Sequence, residues 1–491
     1  MKTNNRHNDL ECAPYCHNQG RAHACIGKFD EAIEFMKCAL VLRQQHLGLQ
    51  DPRVGHTLNS IGVIEGQMGL YNSAKEKFRH ALQIFKEQDN SESNQLTCLQ
   101  VAITNSNMGW VNYLQGNYDD AKKCLESALD IRKRFLLSEH PLIADSLNAL
   151  GAIYQAQGQY QDATNVYREA LTIRENTLPY HHPATANSYQ SLGSVIFENG
   201  QYDEALVHYQ KALDIFHQTL GTYHLAIAGS YKAIGSVFLE KGDYDTALKY
   251  YEKACKISSD ILSDKHLTTI ECYHYIGMVY ERQERYDEAI KQYKTALERI
   301  LSVVKVDHPS KAKIYSSLAG TYLLRRELFN SEKCLNKALE MQKKLYSNGH
   351  PDLVTTLSNM GVLYTYKNDQ TSALRYFDEA VKMCNQCLKK NHPAMARIKF
   401  NIGELHVRSK KYDEALQNYL EALDIREAVV HPNDFGLADI HFQIGYVYFS
   451  QGRDLEAWEH WTKSKSIYAE HNSKTAQSAM ERIIANLRCV S

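Results

Sequence analysis

One spacing constrains this chain before any single residue is weighed: the alanine ahead of an apolar pair returns every 42 residues. It stands at Ala39, Ala81, Ala128, Ala170, Ala212, Ala254, Ala296, Ala338, Ala380 and Ala422, with Ser464 in the last place. The step is 42 throughout except between Ala81 and Ala128, where it is 47. Around it recurs a phrase, Leu-Gly-x-x-Tyr, then Gly-x-Tyr-x-x-Ala, then Ala-Leu, then His-Pro. A fixed period of this length marks a solenoid, in which each unit buries its apolar face against its neighbours. The 491 residues therefore need no separate globular cores, although length alone would allow two or three domains.

Residues 182–223 show how a unit is built. Pro183 suits the first turn of a helix, where its missing N–H is not needed. Tyr189, Leu192, Gly193 and Ile196 follow at i, i+3, i+4 and i+7, on one helical face. Gly200 ends this helix, because glycine enters the left-handed region without a Cβ penalty. Asp203 and Glu204 then favour a second helix start, whose stripe is Tyr202, Ala205, Tyr209, Ala212 and Leu213. Small residues fall where two helices must approach, with aromatics filling the gaps. The spacing thus predicts eleven antiparallel helix pairs over residues 10–472, after a polar tail at 1–9 and before a capping helix at 473–491. An insertion lies near 88–95 and a divergent unit near 325–331.

The turn glycine is kept at Gly27, Gly69, Gly116, Gly158, Gly200, Gly242 and Gly452 but becomes Glu284, Arg326, Asn368 and Lys410 in units 7–10. A non-glycine residue in the left-handed region costs about 1 kcal/mol. Units between 267 and 430 are therefore expected to be less stable or differently turned, with a bend at the eighth.

Net charge is −1, from 56 basic and 57 acidic residues, so no net field draws the chain to nucleic acid or an anionic membrane. No run of 18 apolar residues occurs and the start lacks an apolar signal core, which makes the cytosol the default and excludes membrane insertion. Twelve cysteines keep no repeat register and read as reduced, mostly buried thiols.

These phrases resemble the tetratricopeptide repeat. The 42-residue variety with a Leu-Gly-x-x-His-Pro connector is similar to that of kinesin light chains, as in LGLQDP at 47–52, LSEHP at 137–141, LPYHHP at 178–183, LGTYHL at 220–225, NGHP at 348–351 and KNHP at 390–393. The resemblance implies an all-α, right-handed α-solenoid and a concave groove that binds protein or peptide partners, motor or cytoskeletal proteins among them. A kinesin light chain also carries a heptad coiled coil that grips its motor. Sustained heptads are missing here, so the resemblance carries cargo binding further than motor attachment.

The resemblance places the first helix of each pair on the concave side. Residues three and six before the first glycine should then face inward. The candidates are Asn59, Asn148, Gln190, Lys232 and His274, an amide-rich stretch able to bond an extended backbone, and Arg397, Phe400, Arg408 and Phe442, an apolar anchor flanked by arginine. The two-lysine, two-asparagine set that grips a chaperone tail in this family cannot be assembled.

Cys384-x-x-Cys387 with His392 has metal-ligand spacing, but no second Cys-x-x-Cys completes a tetrahedral set. Cys12, Cys16, His17, His23 and Cys25 follow no zinc-finger spacing. The His-Pro pairs return once per unit, as connectors do and catalytic residues do not. Neither a phosphate-cradling loop nor a nucleophile elbow occurs. The sequence therefore reads as a non-enzymatic adaptor without cofactor or metal. The alternative is the recognition or regulatory part of an enzyme or signalling NTPase whose catalytic domain is absent from this chain, supplied in trans or lost.

Overall fold

The computed structural model describes residues 2–87, 95–346, 349–432, 434–470, 481–483 and 485. Among them, helices pair into eleven hairpins, from Lys2–Cys25 with Phe29–Leu47 in unit 1 to Phe435–Ser450 with Asp454–Glu470 in unit 11. The first helix begins at Lys2 and so takes in the stretch read as a polar tail. Residues 88–94 of the insertion and most of the expected capping helix lie outside the described residues. Ile483 of that segment is buried with Trp461 and Tyr468 of unit 11.

Within a hairpin the small residue of the first helix lets an aromatic ring of the second come close. A Cβ on Gly277 would stand 2.6 Å from Tyr293 Cε1, and one on Gly193 would stand 2.8 Å from Tyr209 Cε1. In unit 8 the place is Ala319, and the facing residue is Leu335 rather than a ring, so the extra methyl is matched by a smaller partner. Ser331, in an alanine place, is buried and donates to the Ala319 carbonyl at 2.9 Å. Unit 8 takes the same hairpin as its neighbours, Pro309–Leu324 with Leu328–Leu345. Gly277→Ala is expected to cost about 1–3 kcal/mol by overpacking against Tyr293, read as a lowered thermal midpoint.

The non-glycine turns are not turned differently. Glu284, Arg326, Asn368 and Lys410 take φ of 61, 64, 59 and 56°, in the same left-handed region as the glycines. This corrects the expectation of a changed turn.

Each His-Pro connector is a helix N-cap. His182 Nδ1 accepts from Ala184 N at 3.1 Å, and His308, His350 and His392 do the same for Ser310, Asp352 and Ala394 at 3.1, 3.0 and 3.0 Å. The imidazole takes the place of the usual serine or aspartate, which Asp51 and Asp434 supply elsewhere.

First helices of successive units touch one another, for example Pro141–Ala156 with Pro183–Glu198 and Pro309–Leu324 with Pro351–Tyr366, so they line the inside of the curve. The curve is tight enough that the chain meets itself. The turn of unit 1 lies against the connector before unit 7, and the turns of units 2 to 5 lie against the connectors before units 8 to 11. Gly27 faces His266, Gly69 faces Asp307 and Pro309, Gly116 faces Gly349 and His350, Gly158 faces His392, and Gly200 faces Asp434. His308 Nε2 stands 3.3 Å from the Gln67 carbonyl, and His431 N donates to the Asn199 carbonyl at 3.0 Å. Apolar packing continues across this seam: one cluster joins Tyr118 and Leu147 to Leu353, Leu388 and Met395, and another joins Tyr71 and Phe78 to Leu345 and Tyr346.

The seam gives the turn glycines of units 1–5 a steric reason. At Gly116 a Cβ would lie 2.9 Å from His350 Cδ2 and 3.0 Å from the Gly349 carbonyl oxygen, and backbone cannot move aside cheaply. Units 7–10 have left the first superhelical turn, and their turns carry side chains.

Candidate functional site

The inner wall is built from the first helices, and its polar side chains are largely spent on one another. Asn107 Nδ2 donates to Asn59 Oδ1 at 3.1 Å, Gln190 Nε2 to Ser230 Oγ at 2.8 Å, and Asn401 Nδ2 to Ser358 Oγ at 3.0 Å. Asn148 sits against Ser188 of the next unit. Lys232 pairs with Glu271 at 3.1 Å. These bonds join residues about one repeat apart and stitch unit to unit. The expected array of amides free for a guest backbone is thus a ladder with most of its partners supplied internally. His274 is buried, its Nε2 2.8 Å from Ser317 Oγ, and burial lowers its pKa to about 3. It does not present an open surface, as the sequence reading expected.

Sequence reasoning also missed a second set of stitches. Arg174 reaches from the second helix of unit 4 to the Ala184 carbonyl at 3.0 Å and Ser188 Oγ at 2.6 Å, with Asp145 2.5 Å from its other arm. Arg43 makes the same reach to the Arg53 carbonyl at 3.1 Å and Thr57 Oγ1 at 2.6 Å. The recurrence of arginine at Arg132, Arg174 and Arg426, at multiples of the 42-residue step, was the available signal.

The far end of the wall is different. Phe400 and Phe442 open onto a cavity of about 800 Å³, together with Phe435, Asp439, Tyr468 and Arg482. Its opposite side is formed by the turns of units 6 and 7, including Asp243, Tyr244, Glu281, Arg282 and Tyr286. Phe400 packs on Tyr419 at 5.4 Å between ring centroids, which holds one edge of the anchor in place. Arg397 donates to Thr355 Oγ1 at 2.8 Å, and Arg408 lies over the Tyr366 ring at 5.0 Å; neither lines the cavity.

Desolvation by the surrounding wall raises Glu198 to about 7 and pushes Glu281, Glu404 and Asp439 up as well, although Glu198 and Asp439 keep solvent-exposed surface. Asp439 accepts from the Tyr468 hydroxyl and Glu404 from Tyr419 at 2.9 Å. The cavity therefore combines aromatic rings with partly desolvated acids, suited to an apolar or aromatic side chain beside a donor.

No metal centre emerges: among the described residues, three or more His, Cys, Asp or Glu side chains are nowhere placed to hold an ion. Cys384 is buried and Cys387 half-buried in the core, and His392 is committed to its cap. Among the described residues no helix is long and apolar enough to cross a membrane.

A stitched, curved array of helical hairpins with an open inner face defines a protein-interaction scaffold. The chain belongs to the tetratricopeptide repeat family, whose model matches residues 10–87, 100–176, 183–260, 234–302, 310–386, 371–428 and 392–470. Among solved structures it is similar to BtubC (BKLC) from P. vanneervenii, at 18% identity over 46% of this chain and 92% of that one, with a TM-score of 0.39. It is also similar to the nearly identical repeats of a putative kinesin light chain of P. anserina (23%, 42% and 98%, TM-score 0.35) and to yeast Tom70 (16%, 97% and 96%, TM-score 0.45). No curated protein sequence matches it significantly.

Proposed function

We propose that the protein is a non-catalytic cytosolic adaptor that holds an extended segment of a partner protein along the inside of the coil, anchored at Phe400 and Phe442. The supporting observation is the aromatic cavity of about 800 Å³, because it is where inner-wall side chains face open space rather than one another. An apolar side chain of the guest would sit between Phe400, Phe435 and Phe442, with Asp439 accepting from a neighbouring donor. Asn59, Asn148, Gln190 and Lys232 act in this reading as a polar track whose outer edges meet the segment, after their main bonds to the wall. A cargo-adaptor role is the specific form implied by the kinesin light chain resemblance.

Capture of partners on immobilised protein tests the anchor. Phe400→Ala/Phe442→Ala is expected to lose a partner that the wild type retains, by about 10-fold or more in affinity, as for aromatic anchors in desolvated pockets. Asn148→Ala/Gln190→Ala/Lys232→Ala should lose less. Equal retention by all three forms would remove the inner wall as the binding surface, and a motor heavy chain among the partners would establish the kinesin-like role.

A further inference from the structure

The seam leaves two rims of the coil uncovered. Connectors before units 7–11 rest on turns of units 1–5, so the earlier connectors and the later turns meet no such counterpart among the described residues. The connectors between units 3 and 6 carry Leu137, Tyr180 and Tyr223, which are 83, 86 and 60% exposed. A lone exposed apolar side chain means little, but large ones on three successive connectors form a row along one rim. His140, His182 and His224 cap their helices there just as the seam histidines do. This rim is thus the same kind of surface that the seam covers with a glycine turn.

The matching surface survives at the other end. Turns of units 7–10 present Glu284, Arg326, Asn368 and Lys410, so each carries a Cβ and side chain at the place where a seam turn has glycine. Unit 11 returns to glycine: Gly452 has φ +74°, and nothing lies within 4 Å of where its Cβ would stand. Beside it, Leu455 is 83% and Trp458 49% exposed.

We propose that the unit 11 turn of one copy, Gly452 with Leu455 and Trp458, docks on the Leu137–Tyr180–Tyr223 connector rim of a second copy. The contact repeats between molecules the turn-to-connector packing that closes the coil within one. Because the two faces differ, the association is head to tail and does not close at two copies. Side chains on the turns of units 7–10 leave the glycine turns of units 6 and 11; Gly242 of unit 6 lines the inner cavity, so the turn free on the outside, flanked by exposed Leu455 and Trp458, is that of unit 11. This interface is separate from the inner cavity and does not depend on what that cavity holds.

Sedimentation velocity of the full chain over a range of concentrations tests it. The wild type should grow past the mass of a dimer as concentration rises. Leu455→Glu/Trp458→Glu and Tyr180→Glu/Tyr223→Glu should each remain monomeric, with unchanged circular dichroism because all four residues are exposed. An equimolar mixture of those two forms retains one intact face of each kind, and its mass should stop at a dimer. If either form loses helical signal, Gly452→Gln or Leu137→Glu gives the same readout with a single change. A wild type that is monomeric at the highest concentration reached would overturn the proposal, as would association that survives both double substitutions.

Discussion

Acidification from neutrality to about pH 4 is expected to open the coil before it melts the helices. His266, His308, His350 and His392 stand in the seam, and each uses Nδ1 as the acceptor of its own helix cap. The opposite nitrogen of His308 faces the Gln67 carbonyl, and His350 and His392 meet the carbonyls of Leu114 and Ala156. A neutral ring satisfies both sides; a proton on Nδ1 would point a donor at a donor. Burial lowers all four, His392 to about 4.

A folded-state pKa below the unfolded one means that the unfolded chain binds more protons in the interval between them. The stabilisation is complete above the ordinary histidine value and is lost as pH falls through the folded value. For His392, a fall from 6.5 to about 4 corresponds to on the order of 3 kcal/mol. His274 and His441, at about 3 and 4, act in the same direction. Glu198, raised to about 7, acts oppositely: its contribution is present below the ordinary carboxylate value and is lost as pH rises through 7. Glu198 is exposed to the solvent inside the coil, so its share is the smaller. Small-angle scattering should show a larger radius of gyration near pH 5 while the helical signal persists. His308→Asn/His350→Asn/His392→Asn keeps a capping side chain and should flatten the response. An unchanged radius down to the melting pH would show that the seam does not depend on neutral imidazole.

Gly116→Glu combined with Gly158→Glu should open the seam at neutral pH. Each site adds about 1 kcal/mol for a left-handed non-glycine residue, and the steric demand adds roughly 1–3 kcal/mol more. At Gly116 the obstacle includes the Gly349 carbonyl, which a rotamer change cannot remove. Gly452→Glu carries the same conformational cost with nothing within 4 Å, and it is the matched control. The double form should give an enlarged radius of gyration with near-normal helix content, and the control should leave the monomer's radius unaltered. Equal radii for both would mean that the five turn-to-connector contacts do not hold the coil closed.

Much of the hairpin was legible. Gly193 against Tyr209, Gly200 at the turn and Pro183 after its cap each obey a rule that acts within one unit, so one unit's residues suffice to read them. The candidate site was legible only in part. Phe400 and Phe442, chosen by their register, line a cavity, whereas Gln190 and Lys232 bond to the adjacent unit and Asn148 lies between Arg174 of its own unit and Ser188 of the next. Register gives the direction of a side chain, not the reach of its neighbours. His274 failed for the same reason: Ser317, one unit on, takes its ring nitrogen and covers it.

The glycines show most plainly where local reading stops. Their loss at Glu284, Arg326, Asn368 and Lys410 was read as strain within those units, yet the turns keep their conformation. At five of the turns, those of units 1–5, a connector six units further along lies against the glycine, and no single unit shows that contact. By itself the sequence determined the repeat, the helix pairs and the small-against-large packing within each pair, because these depend on residues within one unit. Only the tertiary structure decided the seam, the second wall of the aromatic cavity and the two uncovered rims. Those follow from a small rotation between neighbouring hairpins summed over six of them, and no local pattern of residues fixes that sum.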